Sequence, residues 1–536
     1  MKMLTSEQMG EVDRLSTEIY RIPSILLMES AGRSLADELR ASVSGLNDKD
    51  IQVFCGKGNN GGDGFVAARY LHLRGAVPQV VLFADPKGLR GDALTNWNII
   101  ESLGVPLKIL PSPAEAKRYL KSNPVPDIVV DALFGTGLSK PIGPEFKHVV
   151  DWINKAGDSA LVVSVDIPSG LFANSSGIPG PVVRARLTVT FTALKPALVL
   201  PPAASCAGRV VVAPIGSPAR LLENPEYQLN VIDPRQVRRA LPVRARDSHK
   251  GTYGHVYVIA GSRGKSGAAL MTGMAALRSG AGLVTLWLAE SLNHDVVGKF
   301  PELMTEPLPE TSEGTIDIPA AEKILSQADQ ADALVVGPGL TTHRAARRAI
   351  REIVRGSPVP VILDADGINA YASDAASMRN DTGHPVIITP HPGEMARLLE
   401  LTIGEVQKKR LETAQGCARD NGCFAILKGY RTLVATPSGE VYVNCTGNPG
   451  MATGGSGDIL AGMMGRFVAG WNRKYVGNDL RALADYLSAA VYLHGMAGDL
   501  AAEQMGEESM IATDLIPHLP AAFKTLRDNG SARDQF

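Results

Sequence analysis

Short apolar runs rich in β-branched residues alternate with helix-forming stretches along almost the whole chain, and this leaves few architectures open. The runs are apolar on both faces, as strands of a parallel sheet covered by helices on each side must be. In the first half, helices are expected at 6–20 and 24–39 and strands at 51–55, 79–83, 128–131, 161–165, 187–191 and 210–213. Pro and Gly then thicken around 214–225, and Asp233-Pro234 opens a new helical signal. In the second half, strands are expected at 255–260, 283–288, 334–336, 361–363, 386–389, 424–427, 432–435 and 441–444. Helices are expected there at 268–279, 343–355, 404–421, 459–469 and 480–504. The pattern predicts an α/β protein of two domains, 1–225 and 226–536, with a polar tail after Leu526 and no tandem repeat.

A length of 536 residues is too great for one ordinary core, which agrees with that division. The net charge of −1 gives no electrostatic footprint for nucleic acid or an anionic membrane. Cys55, Cys206, Cys417, Cys423 and Cys445 are scattered without a C-x-x-C pair, so no zinc ribbon or redox dithiol is suggested and a reducing compartment fits. The first 14 residues are polar and lack an apolar signal core, and no run approaches the ~20 apolar residues that cross a bilayer. The expected location is therefore cytoplasmic, with no membrane partner.

In open α/β sheets ligands gather at the carboxyl ends of the strands. The 51–55 run leads there into Gly56-Lys-Gly-Asn-Asn-Gly-Gly-Asp-Gly64, with a helix expected from Phe65. Gly56, Gly58 and Gly61 satisfy G-x-G-x-x-G, and Asp85 closes the next run where a ribose-binding acid belongs, so a dinucleotide oxidoreductase competes. However, Asn59 and Asn60 add amide ligands that a pyrophosphate loop does not need, and Asp63 adds negative charge. Such a loop better suits a cation and hydrogen bonds to sugar or amide groups. Asp131 heads Asp-Ala-Leu-Phe-Gly-Thr-Gly137 and Asp166 heads Asp-Ile-Pro-Ser-Gly170, each after an apolar run. Singly each reads as an acid capping a turn; three such loops at equivalent edges point to a site.

The segments Gly58–Gly64, Val130–Gly137 and Val165–Gly170 resemble the NAD(P)H-hydrate epimerase family, across most of residues 1–220. The resemblance implies a Rossmann-like doubly wound sheet. It implies that Asn59, Asn60, Gly61, Gly62 and Asp63 bind the hydrated nicotinamide nucleotide, and that Gly135, Thr136, Gly137, Leu138, Ser139, Lys140 and Pro141 line its site. Asp166 would contact the substrate as candidate acid/base, and Asn60, Asp131 and Ser169 would hold a potassium ion (K+). Lys195, after a further strand, is a minor candidate for the same pocket.

In the second half, Asn448-Pro-Gly-Met-Ala-Thr-Gly-Gly-Ser-Gly-Asp458 couples a glycine-rich turn to a carboxylate and an apolar helix expected from Ile459. Free N–H groups at a helix N-terminus suit phosphate. A carboxylate beside phosphate is awkward unless it takes a proton from a hydroxyl or helps hold a metal. Gly264-Lys265-Ser266 is not a P-loop, because Ile259 stands where the motif needs glycine. Val336-Gly-Pro-Gly339, Thr389-Pro-His-Pro-Gly-Glu394 and Lys428-Gly-Tyr-Arg-Thr432 follow strands, and Lys428 is placed to neutralise phosphate. His391-Pro-Gly-Glu lacks the second His of a zinc motif, and Asp364 and Asp366 read either as acids standing behind a magnesium ion or as turn residues, the turn being favoured.

The segments 251–262, 275–284, 389–394 and 448–462 resemble the ADP/ATP-dependent NAD(P)H-hydrate dehydratase family, whose fold is ribokinase-like, over roughly residues 230–525. The resemblance implies that Ala268, Gly339, His391 and Asp458 contact the hydrate. Lys428, Gly429, Tyr430, Arg431, Thr432 and Gly457 would contact the adenine nucleotide, which is ADP or ATP with Mg2+. Thr341 where a glycine is common, and Gly-Ile-Asn at 367–369, depart from the family pattern. Together the halves imply repair of hydrated NADH and NADPH (NADHX and NADPHX) by a homo-oligomer, with ADP the donor favoured for a fused chain. The competing readings are a small-alcohol kinase joined to a Rossmann oxidoreductase, or to a non-catalytic nucleotide-binding module.

Overall fold

The computed structural model describes residues 1–241, 244–476 and 479–528. They fall into two compact units that part between Tyr227 and Gln228. From residue 529 onward the expected polar tail lies outside the described residues.

The first unit is built on strands β1 (Ile51–Cys55), β2 (Pro78–Leu82), β3 (Leu107–Ile109), β4 (Ile128–Ala132), β5 (Leu161–Val165), β6 (Leu187–Phe191) and β7 (Arg209–Ala213). Their order is β3-β2-β1-β4-β5-β6-β7, and every pairing is parallel. Alternate side chains of one strand serve opposite layers. Ile51, Val53 and Cys55 pack into a core with Leu35, Leu39 and Phe65, from helices α2 (Ser24–Ser42) and α3 (Asn59–Leu73). Phe54 points the other way, into a core with Val149 and Ile153 of the Pro144–Ala156 helix. Helix α1 (Ser6–Glu18), fixed by a Thr5–Gln8 capping box, packs Met9 and Val12 against Leu4, Ala193 and Tyr227. The strand order reverses between β1 and β4, so their following loops diverge and leave a crevice.

The second unit holds β8 (Leu229–Val231), β9 (His255–Ile259), β10 (Leu283–Ala289), β11 (Met304–Leu308), β12 (Ala333–Val336), β13 (Val361–Leu363), β14 (Val386–Ile388), β15 (Phe424–Leu427), β16 (Leu433–Ala435) and β17 (Val441–Val443). The order is β11-β10-β9-β12-β13-β14-β15-β16-β17-β8. Only β16 runs against its neighbours. Here the reversal falls between β9 and β12. The Ser456–Tyr475 helix is almost wholly buried against the Ser266–Arg278 helix and the sheet. Gly462 makes this approach possible, since a Cβ there would stand 2.0 Å from the Thr272 carbonyl oxygen.

The expected strands all form, within a residue or so at each end. Three more appear, β3, β8 and β11, each short or interrupted by a polar residue or proline. The expected 404–421 helix breaks at Lys409 into Ile403–Lys408 and Arg410–Asp420. Three helices start two or more residues earlier than expected. α3 begins at Asn59 rather than Phe65, the 268–279 helix begins at Ser266, and the last glycine-rich turn enters its helix at Ser456 rather than Ile459. Among the described residues no helix is long and apolar enough to cross a membrane.

Candidate active sites

The crevice of the first unit opens into a cavity of about 780 Å³. Its walls are the start of α3 (Lys57 to Asn60, and Asp63), the turn after β4 (Leu133 to Leu138), α1 and α2 residues, Asp166 and Lys195. The early start of α3 puts Asn60, Gly61, Gly62 and Asp63 inside its first two turns rather than in a loop. Gly61 is there because a Cβ would lie 2.0 Å from the Gly56 carbonyl oxygen. Of the expected lining, Gly135, Thr136, Gly137 and Leu138 face the cavity, whereas Ser139, Lys140 and Pro141 are exposed and lie outside that lining.

Asp131, expected as the last residue of its strand, is the fourth residue of β4, and it is fully buried. Its carboxylate accepts from Ser164 Oγ (2.8 Å), Ser169 N (2.9 Å) and Ser169 Oγ (2.5 Å). Burial raises its pKa against those hydrogen bonds. Asn60 stands close by: a Cβ on Gly135 would be 3.2 Å from Asn60 Oδ1, and Asn60 Nδ2 is buried without a partner. Phe134 N donates to Ser169 Oγ at 2.9 Å. Asn60, Asp131 and Ser169 are thus brought together around the Phe134–Gly135 turn.

Asp166 sits at φ +63°, a conformation that L-residues avoid unless their surroundings enforce it. Its Oδ1 accepts from Lys195 Nζ (2.5 Å), Thr190 Oγ1 (2.9 Å) and Phe191 N (3.2 Å). Lys195 is buried and also donates to Thr190 Oγ1 and the Phe191 carbonyl. Two further acids face this pair. Burial lifts Asp13, on α1, to about 6 against the pull of Lys195, and leaves its Oδ1 without a hydrogen-bond partner. Burial, then Asp166 and Asp13, push Asp63 well above the usual carboxylate range. The cavity therefore sets one ion-paired carboxylate beside two carboxyls that bind their protons more tightly than usual, an arrangement suited to general acid–base chemistry. Asp13 carries no motif; only the fold brings it here.

In the second unit, the strand ends at the reversal and beyond converge in the same way. Ser262 Oγ donates to the Gly339 carbonyl at 2.6 Å, and a Cβ on Gly339 would touch Ala268 at 3.2 Å, so Ala268 and Gly339 form one wall. Asp364, after β13, is not a turn residue: it is buried and accepts from Thr389 Oγ1 (2.6 Å) and Lys428 Nζ (2.7 Å). Asp366 begins the one-turn helix Asp366–Asn369 instead, accepting from Thr341 N and Asn369 Nδ2. Glu394 lies 3.8 Å from Lys428 Nζ. Burial lowers the pKa of Lys428, but Asp364 and Glu394 overcome that and raise it.

The Ser456–Tyr475 helix delivers Asp458 to this cluster. Its N-cap Gly455 has φ +97°, and a Cβ on Gly457 would be 3.2 Å from Lys428 Nζ. Burial, then the charge of Asp364, lifts Asp458 to about 7, with Lys428 opposing. His391 is half exposed and serves as a cap: its Nδ1 accepts from Gly393 N at 3.0 Å, and Glu394 accepts in return from His391 N. Residues 428–432 turn the chain from β15 to β16, with Thr432 Oγ1 bonded to the Gly429 carbonyl and the Tyr430 ring exposed. Arg431 Nη1 donates to the Cys445 carbonyl. Among the described residues, no group of three His, Cys, Asp or Glu side chains is arranged to hold a metal.

Two family models match the chain in tandem: the YjeF-related protein N-terminus at 24–197 and NAD(P)H-hydrate dehydratase at 256–521. The bifunctional NAD(P)H-hydrate repair enzyme of Moorella thermoacetica is 41% identical over 98% of both chains. The chain belongs to the bifunctional NAD(P)H-hydrate repair enzymes. The Escherichia coli member is 34% identical, over 95% of this chain and 91% of that one. A Bacillus subtilis ADP/ATP-dependent NAD(P)H-hydrate dehydratase, co-crystallised with ATP/Mg2+, is 32% identical with a TM-score of 0.47, covering 55% of this chain and 98% of that one. As a repair enzyme of this family, the chain joins an epimerase half on an all-parallel, Rossmann-like sheet to a dehydratase half on a mixed ten-stranded sheet. The oxidoreductase and alcohol-kinase readings give way to this one.

Proposed function

We propose that the first domain interconverts the R and S hydrates of NADH and NADPH, and that the second dehydrates the S form at the expense of an adenine nucleotide. The observation that carries the second step is Asp458, a carboxyl poised at about 7 at a helix N-terminus, beside Lys428. Asp458 takes the proton of the C6 hydroxyl, whose oxygen attacks the terminal phosphorus as the bond to the leaving nucleotide breaks. Phosphate then departs with the C6–O electrons, a proton leaves C5, and the C5–C6 double bond of the dihydropyridine forms. The N–H groups at the start of the Ser456–Tyr475 helix and Lys428 hold the phosphates. Magnesium arrives on the nucleotide, as it commonly does, with few protein ligands of its own. Gly429 to Thr432 would carry the base, with the exposed Tyr430 ring as its stacking face. Ala268, Gly339 and the rim residue His391 would border the hydrate.

In the first domain, Asp13 is our candidate acid and Asp166, ion-paired with Lys195, the candidate base. Asp13 protonates the C6 hydroxyl, the ring nitrogen supplies electrons as the C6–O bond breaks, and water re-adds to the other face while Asp166 accepts its proton. The donors around Asp131 fit potassium: all are oxygens, with a single buried carboxylate. Asn60, Asp131 and Ser169 would hold it, and the ion would supply fixed positive charge beside the hydrated ring. A cytoplasmic homo-oligomer is the expected working form, and sedimentation of the purified chain checks the assembly.

The deciding experiment follows recovery of reduced-nicotinamide absorbance from mixed R and S NADH hydrate, with potassium and magnesium, comparing ADP, ATP and no nucleotide. Complete nucleotide-dependent recovery, faster than spontaneous epimerisation allows, establishes both steps and names the donor. Recovery that stalls once the S form is spent removes the epimerase; no recovery with either nucleotide removes the whole reading.

A further inference from the structure

We propose that the adenosine half of the hydrated dinucleotide lodges in a second cavity of the first domain, across the Gly56–Gly58 turn, and that Asp85 biases this cavity towards the NADH hydrate. The inference rests on the epimerase reading. The second cavity measures about 360 Å³ and opens at the carboxyl ends of β1, β2 and β3. It lies within the size range of small-ligand sites, and its walls include Phe83, Leu110 and Phe146, a surface suited to a flat base. It shares two wall residues, Lys57 and Phe134, with the larger cavity.

The shared wall says how a dinucleotide would divide between them. The larger cavity carries Asp13, Asp63, Asp92 and Asp166 together with Arg14 and Lys195, the second carries Asp85 and Glu145, and Lys57 is the cation common to both. Lys57 stands on the shared wall, one residue before the N-cap of α3, where backbone N–H groups also favour phosphate. A dinucleotide with its hydrated ring among the acids and its phosphates at Lys57 has its adenosine directed into the second cavity. Asp85 lies on that wall and presents a carboxylate to the ribose, with Oδ1 already accepting from Lys87 N at 2.9 Å. An acid there hydrogen-bonds a free 2′-hydroxyl and repels a 2′-phosphate.

Gly88 lines the same cavity with no atom within 4 Å of a built Cβ and without a left-handed φ, so Gly88→Trp places a large side chain at its mouth without a backbone clash. Epimer exchange is measured on the full chain, without added nucleotide, for NADH hydrate, NADPH hydrate and the hydrate of reduced nicotinamide mononucleotide, which lacks adenosine. Gly88→Trp is expected to raise KM for NADH hydrate about tenfold or more and to leave the mononucleotide hydrate unchanged. Asp85→Asn is expected to bring kcat/KM for NADPH hydrate up towards that for NADH hydrate, with the thermal midpoint unmoved. Unchanged KM for NADH hydrate in Gly88→Trp, or an equal loss with the mononucleotide, overturns the adenosine site. A wild-type preference for NADPH hydrate, or one that Asp85→Asn leaves in place, overturns the bias. Absence of exchange by the wild type with every probe overturns the epimerase reading, and this inference with it.

Discussion

Asp458 is asked to ionise in a buried place that already holds Asp364 and Glu394. Moving a carboxyl from the ordinary 3.8 to about 7 corresponds to roughly 4 kcal/mol. The folded protein therefore binds the proton more tightly than the unfolded chain, and stability falls as pH rises between those two values. Asp458→Asn is expected to raise the thermal midpoint above pH 7 and to have much less effect in acid, while lowering dehydration by ~10²–10⁴-fold. The wild-type rate should rise through about pH 7 as the base is freed, and the residual rate of the variant should lose that limb. In the other half, Asp166→Ala should abolish epimer exchange and leave dehydration of the S hydrate intact; Lys195→Met should do the same by releasing Asp166 from its 2.5 Å partner. Chiral analysis of hydrate mixtures checks both. At this scale the sequence was uneven. Motifs singled out Asp131, Asp166 and Asp458, but nothing local marks Asp13 or the partnership of Asp364 with Lys428, because each depends on residues far apart in the chain. The departures at 341 and 367 have their own geometry. Thr341 is held at φ +79° with its N–H on Asp366, and Gly367 gives room to the Val336 carbonyl, 2.4 Å from where a Cβ would stand.

Among elements, the pair formed by the Ser266–Arg278 and Ser456–Tyr475 helices decides whether the second site exists, since it fixes both the Ala268 wall and Asp458. A methyl group at Gly462 would have to push these helices apart against the Thr272 carbonyl. Gly462→Ala is expected to cost about 1–3 kcal/mol or more and to lower dehydration, with epimer exchange untouched. Thermal melts and the two separate assays show it. Central strands were legible because burial on both faces imposes continuous apolar runs. In β4 that run is Ile128, Val129 and Val130, and it is unbroken until the buried acid Asp131. Three of the four edge strands were not legible: β11 carries Glu306 and Pro307, and β3 and β8 are three residues each, β3 with a lysine at its centre. The fourth, β7, showed through its apolar run at 210–213. The early helix starts were hidden for a related reason. Asn-Asn-Gly-Gly at 59–62 has poor helix propensity, and only close packing on the Gly56 carbonyl draws it into α3.

For the whole molecule, the two compact units part at Tyr227, and the residues on either side show why that position matters. Tyr227 is buried with α1, whereas Leu229 begins a strand paired with β17. Residues 1–227 and 228–536 produced separately should each keep one activity, and mixed together they should recover both hydrate epimers; a cut a few residues later would strip β8 from its sheet. That edge strand also has a bearing on birth order. On the ribosome β8 emerges ahead of all its sheet, yet its partner β17 follows more than 200 residues later. The nascent second domain must therefore wait for nearly all of its own translation before its first strand finds a neighbour, while the first domain, complete by Tyr227, is already free to fold.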